Sequence, residues 1–126
     1  MKLTNKNVRE KKFHNELQLK TKGRFENIFY KALYNSSEDF FNFLRINSPN
    51  SDILDYGCGI GSSLKKVIEF NPKKITGIDI SDISIEKAKK TIKTDNSNVE
   101  LFVDNCENTK FNDDTFDIIY GTGILH

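Results

Sequence analysis

Three glycines spaced two apart, Gly57, Gly59 and Gly61, follow the apolar pair Ile53 and Leu54 and precede Ser62 and an apolar helical repeat. Glycine takes positive φ at little cost and lets a ligand lie against the main chain. Alternating glycines after a strand therefore clear a backbone loop for a nucleotide-like molecule. The spacing is G-x-G-x-G, with Ser62 where the last glycine of the dinucleotide fingerprint G-x-G-x-x-G falls. No Gly-Lys-Ser/Thr sequence follows, which excludes a phosphate-cradling P-loop. A carboxylate completes the pattern. Lys74-Ile75-Thr76-Gly77-Ile78-Asp79 reads as a second buried strand ending on Asp79, 22 residues beyond Gly57. An acid at about that distance can accept hydrogen bonds from both hydroxyls of a ribose.

These residues need elements to hold them. Asn47-Ser48-Pro49-Asn50-Ser51 is a turn-rich break, so the nucleotide-binding unit starts near Asp52. Leu64, Val67 and Ile68 mark a helix ending before Asn71-Pro72, and Ile85, Ala88 and Ile92 mark another. Strands are expected at Ile75–Ile78, Val99–Val103 and Phe116–Tyr120. Strands alternating with helices imply an α/β, Rossmann-like, doubly wound parallel sheet. Upstream, Phe25, Ile28, Phe29, Ala32 and Leu33 share one helical face over residues 25–34. A further helix starts at the caps Ser36 and Ser37 and buries Phe40, Phe41 and Leu44. The aromatic residues of these amino-terminal helices either pack on the sheet or, through Phe29, Tyr30 or Tyr34, lid a ligand.

With these motifs in order, the chain resembles the class I S-adenosylmethionine-dependent methyltransferases, in particular small-molecule methyltransferases with a ubiquinone-biosynthesis-type domain. The resemblance rests on Asp55-Tyr56-Gly57-Cys58-Gly59-Ile60-Gly61, on Gly77-Ile78-Asp79 and on Asp104-Asn105-Cys106-Glu107-Asn108. A fourth match runs from Phe111 to Tyr120, with Gly123-Ile124-Leu125-His126 behind it. It implies S-adenosyl-L-methionine as methyl donor, S-adenosyl-L-homocysteine as product, and a small-molecule acceptor. Charge distribution, helical periodicity and the turn-rich break divide the chain into a basic leader (1–24), an amino-terminal helical cap (25–50) and a cofactor-binding core (51–126) that stops after the fourth strand. The family's sheet continues beyond a fourth strand, whereas this sequence stops at His126. The expectation is therefore the amino-terminal portion of such an enzyme. The alternative is a non-catalytic cofactor-binding module, completed at its open sheet edge by self-association or a partner chain.

The resemblance assigns roles residue by residue. Gly57, Cys58, Gly59 and Gly61 present backbone to the homocysteine and ribose portions, and Asp55 orients the amino group directly or through water. Asp55 has a second reading, as a strand-end carboxylate capping loop amides. Asp79 takes the ribose, and Ile80 offers an apolar surface to the adenine. The adenine-edge position is Asp104 counted from Val103, or Asn105 counted back from Phe111, and either side chain accepts a hydrogen bond from an amino group. Gly121 lets backbone approach the methionine end. His126 is the candidate general base. Tyr120-Gly121-Thr122-Gly123 lacks the Asn/Asp-Pro-Pro-aromatic motif that base-directed amino methyltransferases use, which argues against a DNA adenine methyltransferase.

Composition sets the limits. The chain has 126 residues, enough for one domain. No apolar run is long enough to cross a bilayer and no signal-peptide core follows the amino terminus, so a cytoplasmic location is expected by default. Cys58 and Cys106 lack metal-site spacing and read as reduced, compact residues; no metal is expected. Residues 1–24 carry eight Lys/Arg against two acids, and the remainder carries eleven against sixteen. The basic leader, with His14 as an ordinary surface histidine, reads as solvated or partly disordered. An RNA-directed enzyme using that arm is the weaker reading, because the arm lacks Arg-aromatic interleaving.

Overall fold

We describe residues 3–19, 37–92 and 98–123 of a computed structural model of the chain. The described part contains four strands, β1 (Asp52–Tyr56), β2 (Lys74–Asp79), β3 (Val99–Val103) and β4 (Ile118–Tyr120). They form one sheet in the order β3-β2-β1-β4, and every pairing is parallel. Parallel strands are covered on both faces, which is why β1 and β2 read as nearly continuous apolar runs: Ile53, Ile75 and Ile78 are fully buried. The chain lays down β1, β2 and β3 in one direction, then returns to place β4 on the other side of β1. Strand order reverses between β1 and β4, and in open parallel sheets the crevice at the carboxyl ends beside such a reversal binds ligands.

The connecting helices pack closely on this sheet. Helix α3 (Ser62–Ile68) seats Leu64 and Val67 in the core. Helix α4 (Asp82–Thr91) seats Ile85 and Ala88 there, with Ile92 just beyond its end. Ser81 caps α4, its hydroxyl accepting from the Ser84 amide at 3.1 Å. Gly77 makes the close packing feasible: a Cβ at that position would lie 2.4 Å from Leu64 Cδ1 and 2.8 Å from Leu101 Cδ2. Helix α2 (Ser37–Asn47) buries Leu44 and sets Phe40 edge-on to Tyr120, with ring centroids 5.7 Å apart. The helix expected over 25–34 lies outside the described residues, as does Ser36.

Two features depart from expectation. Strand β4 begins at Ile118 rather than Phe116, and Asp117 just before it ties the start of β4 to the start of β1. Its side chain accepts from the Asp52 amide at 2.8 Å and its own amide donates to the Asp52 carbonyl at 2.8 Å. Phe116 turns instead to Phe111, edge to face.

The larger departure is the leader, expected as a solvated segment. Residues Asn5–Leu19 form helix α1, which lies against α4 and the loop after β3. Hydropathy patterning misses this helix because its docked positions are polar. Asn7 is buried, and Lys11 and Asn15 are partly covered, while Val8 and Phe13 are more than half exposed.

Candidate functional site

The turn after β1 supplies the floor of the site. Gly57, Gly59 and Gly61 all adopt positive φ, at 75°, 54° and 84°. The amides of Gly57 and Cys58 both donate to the carbonyl of Ile78, at 2.9 and 2.8 Å, tying the loop to the end of β2. The glycines are not equivalent. A Cβ on Gly61 would meet Ile92 Cδ1 at 2.8 Å and Ala88 Cβ at 3.4 Å, so Gly61 lets the start of α3 pack against the end of α4. A Cβ on Gly59 would meet nothing within 4 Å, so its bare backbone faces open space. Cys58 points the other way, its thiol buried and shifted upward in pKa chiefly by desolvation.

Asp79 joins two loops. One carboxylate oxygen accepts from the Gly59 amide and the other from the Ser81 amide, both at 2.8 Å. Each oxygen retains a lone pair, so the side chain can hold the loops and still accept from two hydroxyls. Asp55 lies beneath this floor, 1% exposed. Its Oδ2 accepts from the Tyr120 hydroxyl at 2.9 Å, while Oδ1 has no protein partner. Burial raises the Asp55 pKa to about 7, partly offset by the Tyr120 hydrogen bond and reinforced by the charge of Asp79.

A cavity of about 490 Å³ opens at the carboxyl ends of all four strands. Tyr56, Gly57 and Gly59 line it after β1, Asp79 and Ile80 after β2, Asn105, Cys106 and Glu107 after β3, and Thr122 and Gly123 after β4. Of the two residues expected at the adenine edge, Asn105 reaches the wall. Asp104 turns into its own loop, accepting from the Asn105 amide at 2.9 Å and from the Lys110 amide at 3.4 Å. Gly121 is not on the wall, though Thr122 and Gly123 beside it are, and His126 lies outside the described residues. Tyr56, which the glycine pattern does not mark, donates its hydroxyl to the Cys106 carbonyl at 2.7 Å. That bond ties the loops after β1 and β3 together.

The remaining wall is α1. Lys6, Glu10, His14, Leu17 and Gln18 line the cavity, so His14 is a wall residue rather than a surface histidine. Sequence reasoning misses this face, and the available signal is the spacing of 6, 10 and 14, one turn apart. Among the described residues no cluster of His, Cys, Asp or Glu is arranged to hold a metal, and no helix is long and apolar enough to cross a membrane.

Residues 53–126 match the family described as "Methyltransferase domain". The chain belongs to this family. The chain is 37% identical over 84 residues to the tRNA U34 carboxymethyltransferase of Nautilia profundicola, covering 64% of this chain and 27% of that protein. The chain is also 30% identical over 123 residues to phosphoethanolamine N-methyltransferase 3 of Arabidopsis thaliana, covering 91% of this chain and 25% of that one. It thus spans about a quarter of the length of these relatives. Among solved structures, an S-adenosylmethionine-dependent methyltransferase from Mesorhizobium loti superposes with a TM-score of 0.59 at 18% identity, covering 68% of this chain and 38% of that one. That likeness is one of fold, and the doubly wound Rossmann-like sheet expected from the sequence is the sheet observed.

Proposed function

We propose that this methyltransferase domain binds S-adenosyl-L-methionine at the four strand ends and forms the donor half of an enzyme that methylates a small molecule. The observation that carries the reading is the pairing of Gly59 with Asp79. A backbone with open space where a side chain would stand lies one hydrogen bond from a carboxylate with spare acceptor capacity. The residues present fit this cofactor. Asp79 would take the ribose hydroxyls, Ile80 and Asn105 the adenine face and edge, and the glycine loop the homocysteine portion. Gly123, with positive φ and open space at its Cβ position, leaves the methionine end room on the β4 side.

When bound, the sulfonium supplies an already activated methyl group, so the protein's part is positioning and exclusion of water. Asp55 sits below the loop with one free oxygen in a desolvated setting, suited to a cationic amino group or a water bound to it. Tyr120 holds that carboxylate in one orientation. A small-molecule acceptor is favoured over RNA because two lysines of the basic leader are engaged within the domain, Lys6 with Glu107 and Lys11 with Asp82.

Isothermal titration with S-adenosylmethionine and S-adenosylhomocysteine tests the cofactor assignment. Micromolar binding of both is expected. A folded chain, judged by circular dichroism, that binds neither refutes it.

A further inference from the structure

Helix α1 carries two polar stripes with different neighbours. Asn7, Lys11 and Asn15, spaced four apart, face the domain. The buried Asn7 amide group donates to Glu107 at 2.9 Å and its oxygen lies 3.3 Å from the Asn105 side-chain nitrogen, which donates to it. Lys11 lies 3.5 Å from Asp82, and Asn15 donates to Asp82 at 2.8 Å while accepting from the Ser81 hydroxyl. The carbonyl of Gln18 accepts from Lys87. Glu10 and His14, on the adjoining stripe, face the cavity. The groups that receive the helix are the loop after β3 and the cap of α4, the same two segments that bring Asn105 and Asp79 to the ligand. Asn105 itself holds Asn7, and Asp79 holds the amide of Ser81.

A helix docked by an apolar face is committed once folded, because its alternative is exposed hydrocarbon. One docked by amides and ion pairs exchanges those contacts for water at small net cost, so its position responds to modest changes in free energy.

We propose that α1 is a polar clamp on the nucleoside end of the cavity: it docks through Asn7, Lys11 and Asn15, makes Glu10 and His14 part of the ligand site, and couples docking to nucleoside binding. The inference rests on the cofactor assignment above. Ligand and helix share Asn105 and the Asp79–Ser81 turn, so each arranges the groups the other needs, and a ligand that contacts the docked helix shifts the population toward it. Apparent affinity then scales with the docked fraction.

The test uses the full chain, S-adenosylhomocysteine and adenosine as probes, and the double variant Asn7→Ala/Asn15→Ala. Neither residue lines the cavity, so both act as positioning residues. For the variant we expect tenfold or greater weakening of both probes with the main unfolding transition kept. In the wild type, hydrogen exchange of the amides of residues 8–18 is expected to slow on saturation with either probe. His14→Ala is expected to weaken binding while leaving exchange in ligand-free α1 unchanged. Equal affinity in the wild type and the double variant, or α1 exchange indifferent to ligand, overturns the clamp and leaves the cofactor assignment standing. A wild type that binds neither probe removes both, by a different signature.

Discussion

The glycine loop and helix α1 face each other across one cavity and are held by opposite means. The loop is fixed from behind by fully buried Leu64, Ile75 and Ile78, by two amides converging on the Ile78 carbonyl, and by Asp79 bridging Gly59 and Ser81. The helix keeps Val8 and Phe13 exposed and rests on Asn7, Lys11 and Asn15. Buried apolar packing yields one rigid geometry. Exchangeable polar contacts yield a wall whose position is easily altered. On the proposed reading, the floor would specify the ligand and the helix would admit it.

The packing behind the floor is the easiest part of this contrast to break. Gly77→Val drives side-chain atoms into Leu64 and Leu101, and we expect a loss of roughly 3 kcal/mol in stability, the upper range for overpacking. Urea unfolding followed by far-UV circular dichroism measures it, and a loss below about 1 kcal/mol would mean that α3 can move away from the sheet.

Next in size is Asp79→Ala. It removes the ribose acceptor and leaves two loop amides without partners, so S-adenosylhomocysteine affinity should fall about thirtyfold, or ~2 kcal/mol. Calorimetric titration decides, and unchanged affinity would mean that the floor does not read the sugar.

Asp55 supplies a pH dependence. Its pKa in the folded chain is raised to about 7, above the ordinary carboxylate range, so the folded state holds a proton that the unfolded state releases. The stability this contributes is complete below about pH 4 and is lost as pH rises through about 7. Asp55→Asn keeps a Tyr120 acceptor without the charge, and we expect it to be more stable than the wild type at pH 8 by at least about 1 kcal/mol, converging toward pH 4. Thermal melts at the two pH values check this, and a variant less stable at pH 8 would show that the charge is compensated in the ligand-free fold.

The smallest effect concerns the helix. Raising salt from about 0.05 to 0.5 M screens Lys6 with Glu107 and Lys11 with Asp82, so affinity for the neutral probe adenosine should weaken by less than about fivefold. In Asn7→Ala/Asn15→Ala, where the helix is already released, the salt effect should disappear.

This contrast also explains what the sequence discloses. The floor is legible because its signals are local: glycines at fixed spacing, apolar runs of strand length and an acid at the right distance are features of composition along a line. Ambiguity begins where a loop decides between neighbours. Asp104 and Asn105 are equivalent by counting, and only the path of the chain after Val103 turns one inward to its own amides and the other to the cavity. The start of strand β4 is tied to β1 by a bond between Asp117 and Asp52, residues 65 apart in sequence. Helix α1 is invisible to hydropathy because amides, a lysine and a serine do the work usually given to leucines, and such partners cannot be paired from sequence alone.

The chain's two thiols stand on opposite sides of the same floor. Cys58 is shielded beneath it, whereas Cys106 borders the cavity with its pKa pushed up to about 11 by partial burial and nearby carboxylates. An alkylating reagent at mildly alkaline pH is therefore expected to reach Cys106 before Cys58, and a ligand filling the cavity is expected to protect Cys106. Counting added mass against ligand concentration reads occupancy directly, without a dye, a tag or an engineered residue.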